Sequence, residues 1–232
     1  MTDSIRVMYL DHSGFTVETT RHMLIFDYYR DPRQAAQLPT GKSLEFFASH
    51  AHGDHFNPAI AAWKSQSTYV LCDDIRLAGG LPLVDHTKVH YVAPYQALTL
   101  GDLQITTYGS TDEGGSFLVE VDGWRIFHAG DLNWWHWKGD TPDNIAQAKA
   151  DFFRELNRLN GQKLDIAFFP VDSRLEEYRD IGVREFVKTV HVNHLVTMHA
   201  CGQLWTAPAD FTGYQKDLWI PNVPGESRKF EK

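Results

Sequence analysis

Cysteine is almost absent from this chain: Cys72 and Cys201 stand alone among 232 residues, too few for a disulfide framework. Long apolar runs are missing too. Stretches such as Ile166–Phe169 fall far short of the ~20 residues that a membrane-spanning helix needs, so no membrane partner is expected. Met1–Leu10 has neither a basic n-region nor a long apolar h-region, which argues against a secretory signal and for a soluble cytoplasmic protein. Basic runs are lacking as well, and the formal charge is −8. Phosphate backbones are bound by clustered Lys and Arg, so no nucleic-acid partner is expected. Nor does any repeat, low-complexity tract or linker divide the chain. With 43% apolar and 22% charged residues, the expectation is one globular domain over 1–232.

What the chain has in excess is histidine, with twelve residues. Histidine is the commonest metal ligand and the natural acid-base group near neutral pH, so the positions decide. Short strands come first: Ile5–Leu10, Phe15–Thr19, Met23–Phe26, Leu44–Ala48 and Thr68–Leu71, with Ser13-Gly14 as a turn. Asn57-Pro58 opens a short helix through Trp63, and Asp73 starts another that stops at Gly79-Gly80. Further strands are expected at Lys88–Val92, Leu103–Tyr108, Phe117–Val121 and Trp124–His128, the last two joined by the hairpin pair Asp122-Gly123. Apolar residues Ile145, Ala148, Phe152, Leu156 and Leu159 recur at helical spacing between Thr141-Pro142 and Asn160. Leu164–Phe169, a helix over Val183–Val190 and a strand Leu195–Met198 complete an α/β pattern.

Leu44–Ala48 runs into Ser49-His50-Ala51-His52-Gly53-Asp54-His55, three histidines and a carboxylate within six residues. A random chain of this composition would show H-x-H-x-D-H roughly a few times in a thousand. In a loop past a strand, His50 and His52 can converge on one ion while Asp54 and His55 turn to a second. Imidazole and carboxylate donors suit Zn²⁺ best, with Mn²⁺ or Fe²⁺ as alternatives, one or two ions in all. The bland reading is a solvated His-rich turn.

This motif resembles the signature of the metallo-β-lactamase superfamily, in its short, single-domain, lactonase-like branch. The likeness extends from about Val7 to Cys201. It implies an αββα four-layer sandwich with metals at one edge between two sheets. Asp27, ending Leu24-Ile25-Phe26, is similar to the family's Asp that orients the metal loop. His128-Ala129-Gly130-Asp131 resembles the motif whose Asp bridges two metals, and Met198-His199 the motif whose His completes the second site. His12 stands where such relatives carry His or Gln on the first hairpin. The resemblance thus implies Asp54, Asp27 and His12 as catalytic candidates, and His50, His52, Asp54, His55, Asp131 and His199 as metal ligands.

One element of the pattern is missing. Most members supply another His between the first cluster and the bridging Asp. Here that turn reads Ser110-Thr111-Asp112-Glu113-Gly114-Gly115 and has none. Three readings are open: Asp112 or Glu113 replaces it, with Asp112 the candidate ligand; one metal is held tightly by Asp54, His55, Asp131 and His199; or the pocket is degenerate and does not turn over.

After Asp131 comes Trp134-Trp135-His136-Trp137, either an aromatic wall for a substrate or packing for the next helix. Arg174 offers a fork for an anionic substrate, against a surface salt bridge as the bland reading. Trp134, Trp135, His136 and Arg174 are therefore the pocket candidates. The expected function is a metal-dependent hydrolase that uses a metal-bound hydroxide to open a lactone, ester or phosphoester of a small metabolite. A phosphodiesterase or nuclease of the same fold, and a degenerate metal- or ligand-binding protein, are the alternatives. Substrate and oligomeric state are not legible.

Overall fold

The computed structural model describes residues 4–32 and 41–232. Two seven-stranded mixed sheets lie face to face. The first holds β1 (Ser4–Asp11), β2 (Gly14–Glu18), β3 (His22–Phe26), β4 (Ser43–Ala48), β5 (Ser67–Cys72) and β6 (Val89–Val92). The second holds β7 (Ala97–Leu100), β8 (Leu103–Gly109), β9 (Gly115–Val121), β10 (Trp124–His128), β11 (Lys163–Pro170), β12 (His191–Met198) and β13 (Tyr214–Trp219). The last strand, β14 (Ser227–Glu231), returns to the first sheet and pairs with β1. Strand order is β14-β1-β2-β3-β4-β5-β6 in one sheet and β7 through β13 in sequence in the other.

Both sheets follow one plan. Hairpins β1-β2-β3 lead into parallel β3-β4-β5-β6, and hairpins β7 to β10 lead into parallel β10-β11-β12-β13. Hairpins need only short turns, whereas parallel pairs need crossovers, which explains the early turn signals and the late helices. The crossovers are α1 (Asp73–Leu77), α2 (Pro142–Arg158) and α3 (Ile181–Thr189), with a 3₁₀ turn at Pro58–Trp63.

Alternation along the strands decides the layers. In the first sheet Val7, Phe15, Val17, Leu24, Phe26, Phe47 and Val70 point to the second sheet, while Met23, Ile25, Phe46 and Leu71 pack under Ile60 and Ile75. Between the sheets, Phe15 meets Phe168 at 4.6 Å and Phe26 stacks on His128 at 5.1 Å. Each fully buried aromatic of this kind contributes roughly 1.5–3 kcal/mol through its area alone. The second sheet is apolar on both faces because α2 and α3 cover its outside through Phe152, Leu156, Val183 and Phe186. This is the four-layer αββα sandwich. Three strands, β7, β13 and β14, lie outside the sequence expectation; all are half-exposed edge strands, β7 being only four residues long and β13 and β14 largely polar, so they carry little apolar signal.

Parallel strands in both sheets end at one rim, where Asp27, Ser49, Asp131, Asp172 and His199 follow β3, β4, β10, β11 and β12. A ligand site at the carboxyl ends of parallel strands is the general rule for α/β sheets.

Candidate metal centre

Ser49 begins the loop that carries the histidines, and Asp27 holds it. The Asp27 carboxylate accepts from Ser49 N–H, Ser49 Oγ and His55 Nδ1, each at 2.7 Å. Asp27 is fully buried. Burial opposes its charge, but His128 and His55 outweigh that and keep the pKa below the usual carboxylate value. With Nδ1 fixed, His55 presents Nε2 to the pocket, 3.1 Å from Asp131 Oδ1. A carboxylate that orients a metal-ligating imidazole in this way sets its tautomer and basicity. Asp27 sits at φ 43°, His12 at φ 54° and His199 at φ 57°. Left-handed backbone at non-glycine residues is uncommon and costs on the order of 1–3 kcal/mol each; such strain gathers at functional sites.

Four buried atoms converge without hydrogen-bond partners: His50 Nε2, His55 Nε2, His199 Nε2 and Asp131 Oδ1. His199 Nε2 is 3.3 Å and His50 Nε2 3.8 Å from the Asp131 carboxylate. Buried polar atoms are normally satisfied, so four orphans facing one another call for a shared partner. Divalent cations shared among these imidazoles and the carboxylate would satisfy them, and the residues present fit such ions. Without one, the charges arrange themselves by proton. Burial and the neighbouring His55 push His50 down to about 4. Burial also opposes a charged His55, but Asp131 and Asp27 lift it to about 10.

Asp54 and His12 flank this group, with His12 Nε2 3.4 Å from Asp54 Oδ2. The His12 contact holds the Asp54 carboxyl well below its ordinary range. His12, Asp54, His55 and His199 bring ligand atoms within 4.8 Å of one another. A second group of the same tightness joins His50, His52 and Asp112 at the surface. His52 Nδ1 is 3.9 Å from Asp112 Oδ2, and its Nε2 is 3.6 Å from Glu113 Oε2. The turn without a histidine therefore brings carboxylates beside His52. Thr111 ties that turn to the Asp131 loop: its Oγ1 donates to Asn133 C=O at 2.6 Å and accepts from Asn133 N–H at 2.9 Å. Gly114 closes the other side at φ +62°, where a Cβ would lie 1.9 Å from Ser49 O. Any side chain there would push the turn off the histidine loop.

Asp172 is the residue that the sequence reading passed over. It follows β11, is wholly buried, and accepts from His199 Nδ1 at 3.0 Å. Burial opposes its charge, yet His199 and Arg174 hold its pKa well below the carboxylate range. Asp172 does for His199 what Asp27 does for His55. Its only local signal is an Asp before a short helix: it accepts from Arg174 N–H at 2.8 Å, as a cap does.

The pocket candidates separate. Trp135 stands edge-on to His199 with centroids 5.7 Å apart, and its Nε1–H donates to Asp131 C=O at 3.1 Å. Trp134, one residue earlier, turns to α2 and packs on Phe153 at 5.3 Å. His136 stacks on Tyr178 at 4.0 Å. Of the three, Trp135 is the one that stands beside His199. Arg174 clamps Asp172, with Nη2 at 2.6 Å from Oδ2, and lies over Trp137 at 5.5 Å. Its salt bridge thus reaches His199 through a shared carboxylate. His128 is structural: Nε2–H donates to Ser13 C=O at 2.9 Å and Nδ1 accepts from Gly130 N–H at 3.2 Å. His194 joins Asp217 and the Glu231 carbonyl, both at 2.8 Å.

Comparison with known proteins agrees with this architecture. Residues 6–138 match the family model of the β-lactamase superfamily domain. A UPF0173 metal-dependent hydrolase of Opitutus terrae is 24% identical over 209 residues, 81% of this chain and 80% of that protein. Among solved structures, a metallo hydrolase of the archaeon Ignicoccus hospitalis superposes with a TM-score of 0.63 at 15% identity, covering 99% of both chains. A diiron β-hydroxylase of Streptomyces venezuelae shares the fold at TM-score 0.55 and 11% identity, over 86% of this chain and 45% of that one. Among the described residues no helix is long and apolar enough to cross a membrane. The chain belongs to the β-lactamase superfamily.

Proposed function

We propose that the protein hydrolyses a lactone, ester or phosphoester of a small metabolite at the rim where His50, His55, Asp131 and His199 meet. The observation that carries this reading is the set of four buried atoms that lack any hydrogen-bond partner and face one another. His55, Asp54, His199 and Asp131 would hold one cation, and His50, His52 and Asp112 a second beside Asp131. Cations held there lower the pKa of a coordinated water toward neutrality and polarise the oxygen under attack. The remaining work falls to the protein. Asp27 and Asp172 hold two imidazoles in one tautomer, Trp135 walls the site against water, and His12 takes or returns a proton beside Asp54. Imidazole-rich donors favour Zn²⁺, while the carboxylates around His52 also suit Mn²⁺ or Fe²⁺. The chain's −8 charge favours small substrates over polyanions.

The test is elemental analysis of protein purified without added metal, paired with a lactone, ester and phosphodiester screen. Bound metal and hydrolysis of one substrate class are expected. No metal, and no hydrolysis after loading with Zn²⁺, Mn²⁺ or Fe²⁺, overturns the reading. Asp112 tests the unusual ligand: Asp112→Ala is expected to leave about one ion per chain in place of about two, and Asp112→His to keep both. Equal metal content in wild type and Asp112→Ala removes Asp112 from the ligand set.

A further inference from the structure

A cavity of about 260 Å³ opens beside the metal rim, lined among others by Asp11, His12, Tyr29, Arg30, Cys201 and Asn222. It joins the centre through two of these residues. The His12 ring is 4.0 Å from that of His199, and Cys201 Sγ is 3.6 Å from His199 Nδ1. A molecule whose reacting bond sits over the histidines would extend its tail into this space. The volume lies below the ~300–1,000 Å³ of sites that enclose drug-sized ligands, so the tail is short.

The chemistry of the walls favours an anion. Asp11 is the carboxylate of this lining, and both its oxygens are engaged. Oδ1 accepts from His12 N–H at 2.8 Å, and Oδ2 accepts from Arg30 Nε. What remains on the side chains is chiefly donors: the Arg30 guanidinium, the Tyr29 hydroxyl and the Asn222 amide. Arg30 is also held in place, with Cζ 4.8 Å over the Tyr29 ring and its Nε edge on Asp11. A guanidinium fixed on two sides loses less freedom when its fork pairs with a carboxylate.

We propose that this cavity seats a short carboxylate-bearing tail, and that Arg30 selects esters or lactones of small acids that carry one. The inference rests on the hydrolase reading above and names its substrate class. The test compares, on the metal-loaded protein, the p-nitrophenyl monoester of glutaric acid with the same ester after its free carboxylate is methylated. Wild type is expected to prefer the free acid by about tenfold or more in kcat/KM, chiefly through KM, as for a hydrogen bond to a charged group. In Arg30→Gln the ratio should fall toward unity, and in Arg30→Lys part of it should return. A ratio near unity in wild type, or one unchanged in Arg30→Gln, overturns the assignment. Glutarate binding, read as a rise in thermal midpoint, separates the two claims. If neither ester is cleaved, the hydrolase reading is left to the wider screen above and binding alone decides the cavity. The cavity assignment then stands when glutarate stabilises wild type but not Arg30→Gln, and falls when it stabilises both equally or neither.

Discussion

His55 and His22 each lie between two carboxylates, at opposite ends of the sandwich, and of this pair we assign only His55 to the metal centre. His55 has Asp27 on Nδ1 at 2.7 Å and Asp131 on Nε2 at 3.1 Å. His22, at the start of β3, has Glu45 on Nδ1 at 3.0 Å and Asp102 on Nε2 at 3.1 Å. Both rings are buried. The difference lies around them. Arg21 pairs with Asp102 and Asp122, and Thr19 Oγ1 donates to Asp122 at 2.7 Å, so the acids near His22 already have counter-charges and donors. One atom there, Glu45 Oε2, is left buried without a partner. Around His55, the Nε2 atoms of His50, His55 and His199 and one Asp131 oxygen are left so, with His12 Nε2 beside them, and no Lys or Arg pairs with Asp131 among the described residues. A carboxylate–histidine–carboxylate row is therefore no metal site by itself. The surplus of unpaired donors to a cation makes it one.

The largest effect expected from this contrast is on metal content. His55→Ala removes a buried ligand and takes one imidazole partner from both Asp27 and Asp131, so the protein should come out of purification without metal at the buried position and without hydrolysis. His22→Ala should lose stability but keep its metal, since none of its partners faces the rim. Elemental analysis of the two variants side by side decides. Equal metal loss in both would mean that the distinction drawn here is wrong.

A smaller effect is expected behind the ligands. Asp172→Asn keeps the shape but replaces a carboxylate on His199 Nδ1 with an amide, and should weaken metal binding by about 10–100-fold. Chelator competition measures this without turnover. Asp27→Asn should weaken binding as well. It should also destabilise the fold, because Asp27 accepts from Ser49 N–H and Oγ besides His55. Metal affinity in Asp172→Asn equal to wild type would reduce Asp172 to a helix cap and a salt-bridge partner of Arg174.

How far the sequence shows this follows from how local each feature is. H-x-H-x-D-H lies within one loop and is legible from its own spacing, whereas Asp27, Asp131 and His199, each at or just past the end of an apolar strand, are legible only through the family resemblance that this loop opens. Asp172 was legible in neither way, because its decisive bond joins residues 27 apart and its nearby one looks like an ordinary cap. Trp134 and Trp135 are adjacent and chemically identical, and only the packing of α2 tells which one faces His199. Arg30 gains meaning only when Asp11 and Tyr29 are folded against it. The core strands were legible through buried alternation; β13 and β14, with Gln215, Lys216 and Lys229 on them, carry too little apolar pattern to stand out.

The smallest effect expected is in the pH dependence of stability, and it isolates His22. Burial opposes a proton on His22, but the hydrogen bonds and charges of Glu45 and Asp102 outweigh it, so the folded pKa lies above the ordinary value. Arg21 and Asp122, and beyond them Glu18, Lys42, Glu120 and Arg125, do not titrate between about pH 6 and 9. A raised pKa means that the folded state binds this proton more tightly than the unfolded chain. The stabilisation is fully present below about pH 6.5 and is lost as pH rises through the folded pKa. Urea denaturation of wild type and His22→Gln should thus differ most at the acid end, and the gap should narrow toward pH 9. Metal loading changes with pH in both proteins and cancels in the difference. A gap that stays constant from about pH 6 to 9 would show that His22 acts by packing alone, and not as a charged clasp between the sheets.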